Sequence, residues 1–188
     1  MSVECLQEVV DETTRLVNGV STAQLGVSTP CEGWTVKDLI NHITGGATMF
    51  AISAEQGVVP DEVLGQLMAG DNVGDDPHGA WRAAASQAMA AFQIPGVLDR
   101  IVTLPFGEMP AGVALNIAVF DLATHAADLA TATGQTIKNT GLMETALTIG
   151  HQMIGPELRG PGLFDDEQPV SADAPAVTRL LAFAGRRV

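Results

Sequence analysis

Apolar residues recur along this chain at intervals of three and four, so helical periodicity rather than strand alternation organises it. From Val3 to about Val17, Leu6, Val9, Val10, Thr13, Leu16 and Val17 share one face, with Glu4, Glu8, Asp11, Glu12 and Arg15 largely opposite. Asn18 and Gly19 supply a stop, and Thr22 to Leu25 reads as a short helical turn in the connection that follows. Thr35 and Asp38 then form a capping-box-like pair, and the acid suits the positive end of a helix dipole. Trp34, just before the cap, is expected to pack back on the first turn. The second helix should run from Val36 to about Ala54 and bury Val36, Leu39, Ile40, Ile43, Ala47, Phe50 and Ala51. Gly45 and Gly46 interrupt it at a cost of about 1 kcal/mol each relative to alanine. They lie on the side of His42, which suits either close helix packing or space beside a ligand.

Farther along, the stretch from Gln56 to Gly79, with Asp71, Asp75 and Asp76, reads as a loop holding a brief helix at Asp61 to Met68. Asp76 and Pro77 are an N-cap and first-turn pair for a third helix ending near Phe92, whose Ala80, Ala83, Ala84, Ala88 and Ala91 favour close packing. Ile101 to Leu104 followed by Pro105-Phe106-Gly107 is the one stretch with strand character, a short hairpin. After Pro110 a long apolar helix runs to Gly134, with Asp121, His125 and Asp128 inside it, within about 60° of one another on the helical wheel. A further helix spans Gly141 to about Ile154, a loop runs from Gly155 to Asp173, and Asp173 is expected to cap a last helix carrying Leu180, Leu181 and Phe183.

With 188 residues and no shift in composition, residues 1–188 read as one domain. A net charge of −13 with only nine scattered basic residues argues against nucleic acid and anionic membranes as partners. The acidic start lacks the basic-then-apolar order of a signal peptide, so the expected location is cytoplasmic. Cys5 and Cys31 offer neither a disulfide framework nor a thiolate zinc site. Cys31 reads as a small buried hydrophobe, with a reactive thiol near the site as the other reading.

His42, two turns into the second helix, and the Asp121/His125 pair together supply two imidazoles and a carboxylate. Residues at i and i+4 on a helix face the same way, about 6 Å apart, which lets both reach one ion through bonds near 2 Å. Three protein ligands leave a position for water or substrate, and the donor set suits zinc, nickel or iron(II). The competing reading is an ordinary buried hydrogen bond between His125 and Asp121, with Asp128 or Asp38 fixing a histidine tautomer. Asp38, Asp128 and Trp34 are candidates to support the ligands or face the substrate. His151 reads as a packing or surface residue, and His78, in the first turn of the third helix, as an exposed side chain.

The stretches PCEGWTVKDLINHITGG, DLATHAADLATATG and DAPAVTRLLAFAGR resemble the metal-binding domain of the mycothiol-dependent maleylpyruvate isomerase family, within the wider DinB/YfiT-like superfamily. The resemblance implies an all-α fold, an antiparallel four-helix bundle with additional short helices, in which His42, Asp121 and His125 bind a divalent metal. It places Asp121 where the isomerase has a glutamate. It also implies a mycothiol cosubstrate, so the expected function is thiol-dependent transfer to, or isomerisation of, a small electrophile. A noncatalytic metal- or ligand-binding module and a metal-dependent amide or ester hydrolase are the alternatives. Apolar bundle faces would also suit a homodimer.

Overall fold

The computed structural model describes residues 2–160 and 164–187. Four long helices form the frame: α1 (Val3–Asn18), α2 (Val36–Gln56), α4 (Pro77–Phe92) and α5 (Ala111–Thr133). The short α3 (Asp61–Ala69), a hairpin of β1 (Ile101–Leu104) and β2 (Gly107–Pro110), α6 (Thr140–Met153) and α7 (Ala176–Phe183) complete it. The all-α bundle with a small hairpin is the expected fold.

Packing runs in a closed ring, α1 on α4, α4 on α2, α2 on α5 and α5 on α1. The contacts at the helix ends give the directions. Gln135, just past α5, donates to the Leu16 carbonyl at the end of α1, so these two helices are parallel. Trp81 Nε1, in the first turns of α4, donates to Thr14 Oγ1 near the end of α1, so those two are antiparallel. Cys31, just ahead of α2, meets Asp128 late in α5, so α2 runs against α5. The order is therefore up, down, down, up. The segment containing α3 carries the chain back between α2 and α4, and the hairpin closes the end where α2 finishes and α5 begins.

Two of the three predicted caps form, those of α2 and α4. Thr35 N–H donates to Asp38 Oδ2 at 2.9 Å while Asp38 N–H donates to Thr35 Oγ1, and Asp76 Oδ1 accepts from Gly79 N–H. All seven residues expected in the core from α2 are buried. α5 is long and apolar enough by length and composition to cross a membrane, yet 78% of that apolar window is buried inside the bundle.

Three expectations are corrected. Glu12, placed on the outer face, is buried, because Arg15 and the Lys138 N–H both bond its carboxylate. The small face of α4 keeps Ala84, Ala88 and Ala91 and adds Ala85, while Ala83 is exposed. Asp173 caps nothing: α7 starts at Ala176 behind Pro175. A residue before proline is pushed out of the helical region, so Ala174 cannot join a helix that Asp173 would cap. Of the loop expected over 155–173, residues 161–163 lie outside the described residues.

Candidate metal and thiol site

The turn entering α2 places the first two side chains of the site. Thr29 N–H donates to the Trp34 carbonyl, Trp34 N–H to the Cys31 carbonyl, and Gly33 sits at φ 79°, a left-handed position that glycine occupies without strain. The turn aims the Cys31 thiol and the Trp34 ring inward at α5. The capping box then sets the start of α2, which fixes the phase of His42 about two turns later.

His42, Asp121 and His125 converge. Their ligand atoms lie within 4.8 Å of one another. His42 Nε2 is 3.6 Å and His125 Nε2 3.5 Å from Asp121 Oδ1. These separations are long for hydrogen bonds but near the edge of a tetrahedron with bonds of 2.0–2.1 Å, about 3.4 Å. Among the described residues these three groups therefore fit a divalent cation by donor chemistry and spacing. The Trp34 ring lies against both imidazoles, 4.8 Å from His42 and stacked at 6.0 Å on His125.

A second cluster supports His125 from behind. Asp128 Oδ2 lies 3.0 Å from His125 Nδ1, 3.1 Å from Cys31 Sγ and 3.1 Å from Arg186 Nη2, while Arg186 Nε meets Oδ1 at 3.2 Å. An Nδ1–H donated to Asp128 leaves the Nε2 lone pair pointing at Asp121 and His42. Arg186 also reaches Cys31 Sγ at 3.3 Å. Burial alone would raise the Asp121 pKa, but the charges and contacts of His125 and His42 outweigh it and hold the carboxyl far below its usual range. Burial would likewise depress His125, and Asp121, Asp128 and Cys31 reverse that, raising the imidazole well above its ordinary value.

Sequence reasoning missed Arg186 and took Cys31 as a buried hydrophobe. Cys31 is buried, but its thiol sits between a carboxylate and a guanidinium. Asp38 does not join the ligand cluster, since its carboxylate is bonded to Thr35, which also holds its pKa low. The two glycines divide the roles foreseen for them. A Cβ at Gly45 would come within 2.6 Å of the Leu67 carbonyl, a packing constraint, whereas one at Gly46 would stand 3.8 Å from Asp121 Oδ2 and faces the site. His151 is exposed, its ring edge-on to Phe183. His78 is partly buried in the first turn of α4.

Beside the ligand cluster opens a cavity of about 840 Å³ bounded by Trp34, His42 and Gly46 of the α2 segment, by Asp121 and Phe120 of α5, and by the hairpin. Its size is that of a small-molecule site.

A family model described as the mycothiol maleylpyruvate isomerase N-terminal domain matches residues 6–130. Two uncharacterised proteins of Mycobacterium tuberculosis, from strains CDC 1551 / Oshkosh and ATCC 25618 / H37Rv, are each 36% identical over 184 residues, covering 97% of this chain and 96% of theirs. Crystal structures of the mycothiol-dependent maleylpyruvate isomerase and of a histidine-to-alanine mutant of it share the fold, each with a TM-score of 0.63, at 19% and 18% identity respectively. In both, the likeness covers 79% of this chain and 65% of the isomerase chain, so the match spans just under two thirds of the isomerase.

Proposed function

The chain belongs to the mycothiol maleylpyruvate isomerase N-terminal domain family, and on that premise we propose that it is a cytoplasmic, single-domain, metal-dependent enzyme that joins a thiol to a small electrophile or uses the thiol to isomerise it. The observation that carries this reading is the convergence of His42 Nε2, Asp121 Oδ1 and His125 Nε2 from two antiparallel helices at the wall of a cavity. These three residues would hold the cation, zinc before nickel or iron(II). A divalent cation there would lower the pKa of a coordinated thiol, mycothiol by the family's name, and so favour the nucleophilic thiolate at neutral pH.

The remaining work falls to the chain's own side chains. Asp128 fixes the His125 tautomer, Arg186 fixes Asp128, and Trp34 covers both imidazoles and limits water on that side. Gly46 leaves room at Asp121 that a side chain would fill.

A His125→Ala protein that keeps its helical circular dichroism is expected to purify without the near-stoichiometric metal of the wild type and to lose thiol-dependent turnover. Normal turnover in that metal-free protein would overturn the reading. Because the His125 pKa is raised, a cation must displace a proton from Nε2, so affinity should fall as pH falls. Calorimetric metal titration in buffers of different ionisation enthalpy should record that proton release.

A further inference from the structure

The cavity changes polarity along its length. On α2 its lining runs from Asp38 and Asn41, past His42, to Met49 and Phe50. At 1.5 Å per residue, Met49 and Phe50 stand about 10–12 Å beyond His42 along the helix axis. α5 runs the opposite way, so Ile117 and Val113 extend from Asp121 in that same direction, and Phe106 and Met109 of the hairpin close the far end. The ligand cluster therefore lies between a polar end and an apolar lobe.

The charges in the lining are one-sided. They are the carboxylates of Asp38 and Asp121, and among the described residues the lining holds no lysine or arginine. The two charges of a divalent cation would be balanced by those two carboxylates, and a bound thiolate would leave the site negative. A carboxylate on the second reactant, seated in the lobe, would meet no counter-ion, and an unpaired buried charge is strongly disfavoured. The rim points the same way, since the exposed large hydrophobic residues include Met68 at 66% and Phe106 at 55% exposure, both on the cavity wall. Four methionines, Met49, Met68, Met109 and Met153, give the wall side chains that adapt to varied apolar shapes.

We propose that the apolar lobe selects an electrophile whose body is uncharged and apolar, and that it rejects dicarboxylates. That the occupant is an electrophile rests on the thiol-dependent reading; the apolar preference rests on the lining residues. A suitable probe is diethyl maleate. With it the thiol sulfur forms a bond to one alkene carbon, the alkene π pair moves to the other carbon, and that carbon takes a proton while the thiol gives one up. No oxidant or reductant is needed.

The test uses the full, zinc-loaded protein and the uncharged fluorescent dye Nile red. Diethyl maleate is expected to displace the dye at a concentration lower than that of maleate dianion by about tenfold or more. Equal or better competition by maleate, or failure of the dye to bind, overturns the proposal. A folded Ile117→Lys protein should lose affinity for the diester and gain it for maleate, and an unchanged ratio would overturn the placement in the lobe. Thioether formation is measured separately with mycothiol. Dye displacement by the diester without thioether formation would sink the thiol-dependent reading and leave the apolar preference standing.

Discussion

Asp128 has no solvent exposure, and its two oxygens meet Cys31, His125 and the guanidinium of Arg186. Burial would raise its pKa, yet His125 and Arg186 hold it low, so it stays a carboxylate in the core. Arg186→Met should therefore leave the buried Asp128 carboxylate without its guanidinium partner and destabilise the fold by about 3–5 kcal/mol. Adding Asp128→Asn should recover much of that loss in a denaturant titration, a non-additivity that identifies the pair. Asp128→Asn alone should weaken metal binding by about 10–100-fold, measured by competition with a chelator. The convergence of His42, Asp121 and His125 was legible because these residues obey local rules: Asp121 and His125 are one helical turn apart, and His42 is phased by a capped helix. Arg186 was not, because it lies 58 residues from Asp128 and 155 from Cys31, and no local periodicity links a tail arginine to a helix interior.

The join between α1 and the start of α6 turns on Glu12. Its carboxylate receives Arg15 at 2.7 Å and the Lys138 N–H at 2.8 Å, while Arg15 also donates to the Thr136 carbonyl. Burial alone would raise the Glu12 pKa, but these partners outweigh it, so the folded value is lowered. The sign follows. The ionised state contributes stability fully above the ordinary glutamate pKa of about 4.3 and loses it as pH falls through the lower folded value. Glu12→Ala is expected to cost about 1–3 kcal/mol at neutral pH, since buried donors lose their acceptor. Its urea midpoint should approach that of wild type as the solution is acidified. Periodicity located the helices well, because caps at Thr35 and Asp76 and breaks at Gly134 and Pro110 are written in single residues. It misplaced Glu12 because a helical wheel marks polar positions without knowing which of them a neighbouring segment will cover.

Across the whole molecule, α2 and α5 are held by apolar packing and would be further bridged by a cation between His42 and the Asp121/His125 pair. Binding to the folded state alone adds about 2.7 kcal/mol at a hundredfold excess over Kd. For a chain of this size that is a rise in Tm of about 5–10 °C. Zinc should produce it in the wild type and leave a folded His42→Ala/His125→Ala protein unmoved, as read by calorimetry. The bundle itself was readable from the resemblance of three stretches of sequence. The cavity was less so, because its walls come from α2, α3, α5, the end of α6, the hairpin and the loops beside them, which only the tertiary fold assembles. Gly46, one helical turn beyond His42 and 3.8 Å by its hypothetical Cβ from Asp121 Oδ2, invites a redesign. Cysteine there would offer the ion a fourth protein donor and fill the position that an incoming molecule must occupy. On the proposed function, a single missing side chain would then separate a turnover site from an inert storage site, and Gly46→Cys would convert the first into the second.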